Sequence, residues 1–219
     1  MLEHLEEVPW HELHHAYGAA DNVPSLIRKL TTGSDTDRQR AVDDLFGSLA
    51  HQGTVYEASA AAVPFLVEIG VDQRTHLRWR VWVLVLLSAL ASGNEFGDGG
   101  NRLATRAAVA RELGKLLPLA DQRGLDVAIA WIAGNCGPDG SPASLRLSEL
   151  EQSEPAGSRR LAFAIARKLI ETGRATAAEL DEVARLSEDF ADAREGIEPS
   201  DSQRALEEVV AAYLSRYLK

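Results

Sequence analysis

DRQRAVDDLFGSLA, residues 37–50, and HLRWRVWVLVLLSAL, residues 76–90, decide the fold. Shifted by 40, Arg38 falls on Arg78, Arg40 on Arg80, Ala41 on Val81, Leu45 on Val85 and Ser48 on Ser88. A period of this length marks a repeat in which each copy is one supersecondary unit. A third copy begins near Asp121 in DQRGLDVAIAWIAG. A fourth lies in SRRLAFAIARKL, where Arg159 and Ala162 reproduce the spacing of Arg38 and Ala41. Between the copies, helices are expected at 24–31, 55–70, 102–117 and 142–150. Pro64 should bend or restart the second of these, because proline lacks an N–H and clashes with the preceding turn.

Apolar residues recur at helical spacing elsewhere. Residues 202–218 carry Leu206, Val209, Val210, Tyr213, Leu214 and Tyr217 on one stripe. Residues 157–171 carry Leu161, Ile165 and Leu169. No alternating strand pattern bounded by hairpin turns stands out. Helix starts are predicted where Ser or Thr precedes Glu or Gln by three residues, a spacing that satisfies two free backbone N–H groups. Thr36 with Gln39, Thr54 with Glu57, Thr176 with Glu179 and Ser200 with Gln203 fit. In HQGTVYEAS, residues 51–59, Gly53 suits a left-handed helix stop, and His51 suits the last turn before it. The segment is expected to form a corner between two helices.

The Arg-x-x-Ala-x-x-x-Leu of Arg38, Ala41 and Leu45 resembles the start of the second helix in HEAT-like repeats, over most of residues 20–172. HAYG at 15–18 and HQGTVYEASAAAVPFL at 51–66 also resemble a bacterial, mainly actinobacterial, set of HEAT-like proteins. The resemblance implies an all-α solenoid of about four antiparallel helix pairs plus terminal helices. It would be one domain, with an N-terminal cap at 1–20, repeats at 21–172 and C-terminal cap helices at 173–219. Stacking suits such units, because a lone helix pair cannot bury its apolar face. The apolar segment 75–91 would be a member covered on several sides.

Charge narrows the partners. The net charge is −10; residues 1–50 carry 9 acidic and 4 basic side chains, and 151–219 carry 14 and 10. Nucleic-acid binding runs on Lys and Arg, so no nucleic-acid partner is expected. An acidic chain would sooner meet a basic protein or a cationic ligand. The longest apolar run, VWVLVLL at 81–87, falls short of the roughly 20 residues of a membrane span. The acidic start lacks an apolar run, and Cys136 is the single cysteine, so a reducing cytoplasm is the expected location.

Several groups could carry chemistry or binding. HELHH at 11–15 matches H-E-x-x-H, which on a helix would set His11 and His15 on one face for zinc. Pro9 and Gly18 confine that helix to about two turns, and no third ligand follows at a recognisable spacing. No metal or other cofactor is therefore expected. His51, Tyr56 and Glu57, with His15 and Tyr17 nearby, could form a polar cluster for acid–base work. Glu57 is also claimed by the predicted helix start. Trp79, Trp82 and Trp131 fall on predicted second helices, which line the concave face in HEAT-like proteins. Trp79 with Arg78 could anchor a partner, while Trp82 and Trp131 suit the core. Arg38, Arg78 and Arg159 could pair with Asp43, Asp72 or neighbouring carboxylates as a structural ladder. GDGG at 97–100 reads as a loop.

The expected function is a protein-binding scaffold that docks a partner in a concave groove, using Trp79, Arg78, Arg38, Asp43, Trp82 and Trp131. Its sharpest form is neutralisation of a basic toxin or enzyme, as an immunity protein does. The alternative is a small-molecule enzyme with its active site in the same groove.

Overall fold

A computed structural model describes residues 2–95, 100–194 and 196–218. The described residues form eleven α-helices, short 3-10 turns and one two-stranded hairpin, so the chain is all-α in class. None of the helices is long and apolar enough to cross a membrane. The chain divides into two compact units, Met1–Leu116 and Leu117–Lys219. That division separates the two helices expected to make the third pair. Most of the GDGG segment, residues 97–99, lies outside the described residues.

The first unit opens with 3-10 turns at Leu5–Glu7 and Trp10–Glu12 and a hairpin of β1 (His14–His15) and β2 (Gly18–Ala19). Five helices follow: α1 (Val23–Thr32), α2 (Asp35–Leu49), α3 (Glu57–Val71), α4 (Leu77–Ser92) and α5 (Asn101–Leu116). Helix α3 packs against α1 and α5, and α2 packs against α4. Each successive pair is joined across these rows by α1–α2 and α3–α4 contacts. Helix α3 runs through Pro64 as one element instead of breaking there. Pro64 is exposed, while Val63, Phe65, Leu66 and Val67 are buried and hold the helix on its neighbours. Ala41 and Val81 are both buried, as are Ser48 and Ser88, in keeping with the aligned register. The register is imperfect: Arg40 is exposed, whereas Arg80 is buried and donates through Nε to the Gly70 carbonyl at 2.9 Å.

Helix starts follow backbone satisfaction. Thr176 and Glu179 form the predicted reciprocal cap: the Thr176 N–H donates to the Glu179 carboxylate at 2.7 Å, and the Glu179 N–H donates to Thr176 Oγ1 at 3.3 Å. The other three starts differ from the predicted registers by two residues. Ser34 and Asp37 exchange bonds of 3.1 and 3.2 Å, replacing Thr36 and Gln39. The Tyr56 N–H donates to Ser59 Oγ at 2.8 Å, and the Glu198 N–H donates to the Asp201 carboxylate at 3.2 Å. In each place a second acceptor sat three residues beyond a neighbouring N–H, so residue type alone left the register open.

The second unit contains α6 (Asp126–Asn135), α7 (Ser144–Ser153), α8 (Ser158–Thr172), α9 (Ala177–Leu186), α10 (Glu188–Ala193) and α11 (Pro199–Leu214). Helix α8 packs against α6, α7, α9 and α11. Every residue of α6 is buried, including Asp126. That carboxylate accepts from Arg159 Nε at 2.8 Å and from its Nη2 at 2.5 Å, and also from the Gly124 and Val127 N–H groups. Arg159 also pairs with Glu154 and lies over the Phe163 ring, 5.1 Å from its centroid. The Arg159 rung of the expected ladder therefore exists, with Asp126 and Glu154 as its carboxylates. A desolvated charge is tolerable only when paired and hydrogen-bonded in this way.

Two substitutions test this core. Asp126→Ala leaves the nearly buried Arg159 without its main partner and should cost about 3–5 kcal/mol in urea unfolding. Gly140→Ala would put a Cβ 2.1 Å from the Ala133 carbonyl oxygen. Backbone must shift to relieve that contact, and a loss of about 1–3 kcal/mol is expected. Gly173→Ala meets no neighbour but holds φ 78°, so it should cost only about 1–2 kcal/mol.

Candidate functional site

The two unusual stretches, HAYG and HQGTVYEAS, meet in the first unit. Helix α2 ends at Leu49, and His51–Gly53 form a 3-10 turn with left-handed backbone at Gln52 (φ 50°) and Gly53 (φ 78°). The stop therefore uses two left-handed residues, and His51 lies outside the helix. Val55 N–H donates to the Asn94 carbonyl at 2.8 Å, and Asn94 N–H donates to the Gly53 carbonyl at 2.7 Å. These bonds tie the corner to the segment after α4. The hairpin sits on the same corner, where Ala16 N–H donates to the Ser48 carbonyl at 3.1 Å.

This scaffold sets a row of polar side chains. Tyr17 Oη lies 3.2 Å from His51 Nδ1, with the rings edge-on at 5.4 Å, and Tyr17 is 69% exposed. Glu57 accepts from the His14 N–H at 3.1 Å and lies 3.0 Å from His14 Nδ1. The His14 side-chain bond first, then its backbone N–H, hold the Glu57 carboxyl below the usual carboxylate range. Burial first, then the Tyr17 phenol, push Tyr56 above the usual tyrosine range. His51, Tyr56 and Glu57 thus come to one corner, but they do not form an acid–base set. His51 is bonded to Tyr17, Glu57 to His14, and a raised Tyr56 phenol is a poorer source of phenolate. Glu57 is also free of the helix-capping role expected for it. Sequence reasoning missed His14, whose only signal was its place in the histidine run.

The zinc reading fails on local conformation. His11 stands in a 3-10 turn and His15 in β1, so the helical face that H-E-x-x-H requires does not form. His15 is 7% exposed. Its Nδ1 accepts from the Tyr17 N–H at 3.0 Å, and its Nε2 lies 2.9 Å from Asn22 Oδ1. The ring staples the hairpin to the start of α1.

A second group of side chains lies along α2 and α4. Gln39, Asp43 and Phe46 share one face of α2 at i, i+4 and i+7. Gln39 Oε1 accepts from Arg78 Nη2 at 3.2 Å, and Gln39 Nε2 donates to Asp43 at 3.0 Å. Phe46 meets Trp82 edge to face at 6.3 Å. Trp82, Val85 and Ala89 remain half-exposed on the outer side of α4, a helix that α2, α3 and α5 cover on its other sides as expected. The Trp82 indole N–H has no hydrogen-bond partner among the described residues. Tyr17 Oη extends this face at Gly47, about 4.0 Å from where a Cβ there would stand.

Trp79 is the correction among the anchor residues. It is 2% exposed and its indole N–H donates to Asp35 at 3.2 Å, so its ring cannot meet a partner. Arg78 keeps its place at the edge of the face, 4.8 Å over that ring. Arg38 donates through Nη2 to the Thr31 carbonyl at 3.0 Å and lies 3.7 Å from Asp35, joining α2 to the end of α1. It does not pair with Asp43. Asp72 pairs with Arg74. Trp131 is buried in α6 of the second unit and is a core residue.

The bond to Glu57 has a titration signature. A carboxyl held low in the folded chain adds stability above its unfolded value, and loses it as pH falls through the folded value. Carbonyl-detected NMR should show Glu57 titrating below the other exposed glutamates, and His14→Ala should raise its midpoint. An unmoved midpoint would show that the His14 ring does not hold the carboxyl. No family model, curated protein or solved structure matches this chain, so the meaning of these residues rests on their geometry.

Proposed function

We propose that this chain is a HEAT-like helical-repeat module of the cytoplasm that docks a basic protein on the α2–α4 face of its first unit. The carrying observation is the half-open Phe46–Trp82 pair beside Asp43, on a face that Tyr17 extends. Aromatic side chains with a polar handle dominate binding energy where they can be desolvated. Trp82 offers such a ring, part of which is open to solvent, while its indole nitrogen is buried. Asp43 is exposed on α2, bonded to Gln39, and gives the face a negative group. The row of α1, α3 and α5, with α2 beside α4, supports the helical-repeat reading.

Docking then runs in two stages. The acidic edge steers a cationic partner, which raises the association rate and makes it salt-dependent. Apolar side chains of the partner cover Phe46, Trp82 and Val85, and Tyr17 and Arg78 serve as hydrogen-bonding rim. Neutralising a basic toxin or enzyme is the sharpest form of this function.

The test is capture from native lysate with charge reversal. Asp43→Lys changes an exposed position and should leave the melting temperature within a few degrees. Basic proteins retained by the parent chain should fall about tenfold in yield, while Asp192→Lys, on exposed α10, should retain them. Retention unaffected by the Asp43 reversal, or recovery of acidic partners alone, would sink the proposal.

A further inference from the structure

A cleft of about 460 Å³ lies in the second unit, between α9, α10 and α11. Its volume falls in the range of small-molecule sites. Val183 and Val209 form an apolar floor, and Leu186 stands at the rim with 57% of its surface open. Glu188, Asp189 and Glu208 are its only ionisable lining groups, and all are acidic. We propose that this cleft binds a small organic cation, a primary amine carried on an apolar body.

The acidic groups differ in origin. Glu188 and Asp189 occupy the first turn of α10, where carboxylates are common for helix-end reasons. Glu208 stands in the middle of α11, where that reason does not apply. It accepts from Ser187 Oγ at 3.1 Å, and that oxygen accepts from the Phe190 N–H at 3.2 Å. The carboxylate is therefore anchored at the cleft. Arg194 is held by Asp181 at 2.6 Å and is not part of the lining. The apolar floor selects an organic cation over a metal ion. No group of three His, Cys, Asp or Glu residues able to hold a metal occurs among the described residues.

Calorimetric titration of the full chain with 4-phenylbutylamine, and with 4-phenylbutanol as its neutral counterpart, tests the assignment. The amine should bind saturably and at least about tenfold tighter than the alcohol. Glu208→Gln keeps the bond to Ser187 and removes the charge, so amine affinity should fall about tenfold, with the alcohol unchanged. Ala212→Leu adds bulk at an exposed lining position of α11 and should abolish binding of both, with the helical circular dichroism unchanged. Equal affinity for amine and alcohol would overturn the role of charge. Amine binding that survives both substitutions would place the site elsewhere. Absence of amine binding would overturn the proposal, as would binding of a lysine-rich peptide in its place with the same dependence on residue 212.

Discussion

Ser59 holds the corner on which the first unit depends. Its hydroxyl is fully buried, accepts the Tyr56 N–H at 2.8 Å and donates to the Leu49 carbonyl at 2.7 Å. One oxygen therefore satisfies the start of α3 and the end of α2. Helix ends leave backbone groups without intrahelical partners, and burying them unpaired is costly. The corner is built from such satisfactions: Ala16 N–H takes the Ser48 carbonyl, and Val55 and Asn94 close the far side. Gly93 allows that close approach, because a Cβ there would lie 2.3 Å from Val55 Cγ1. The direction of α3, and with it the placement of the hairpin beside His51, follows from these bonds.

The arginines show how one sequence signal serves different ends. Arg159 reaches across to a carboxylate on α6 that is wholly buried, and becomes part of a core. Arg38 instead binds a carbonyl at the end of α1, and Arg78 binds an amide on α2. The difference lies in what faces each arginine. Asp126 supplies a full charge to Arg159, which a guanidinium meets with more than one donor. Gln39 supplies a neutral acceptor to Arg78 and passes its own donors to Asp43. This leaves the α2–α4 edge polar and open, where the α6–α8 contact around Arg159 is closed.

The spans of most helices were legible: α1, α4, α5 and α8 fall within a residue or two of those expected, α1 and α8 from their apolar period and α4 from its long apolar run. Their ends were not, since Ser34, Tyr56 and Glu198 each offered a cap register that competed with the predicted one. The HELHH stretch does not form the short helix expected there, because its spacing says nothing about conformation. Hydrogen bonds from the hairpin and from His15 to Asn22 outweigh a two-turn helix with no neighbour to support it. At the site, the meeting of HAYG with HQGTVYEAS was foreseen, but its pairing was not. Partner choice there depends on the backbone of Gln52 and Gly53 and on a hairpin with two residues per strand. Trp79 and Trp82 are three residues apart, which puts them on neighbouring parts of one helix surface. Only packing against α2 decides that Asp35 takes the first inward and Phe46 leaves the second half open.

That split has a consequence for affinity and rate. An indole that is half-covered by Phe46 is already ordered, so a partner closing over it loses little side-chain entropy. The Asp43 carboxylate on the same face acts differently. Exposed charges contribute little to the strength of a finished contact but speed encounter with an opposite charge. Salt should therefore slow association with a basic partner while leaving dissociation nearly unchanged, because the apolar contacts at Phe46, Trp82 and Val85 govern the latter. A face whose dissociation rate rose with salt as steeply as its association rate fell would be held by charge alone, and the aromatic pair would then be packing and nothing more.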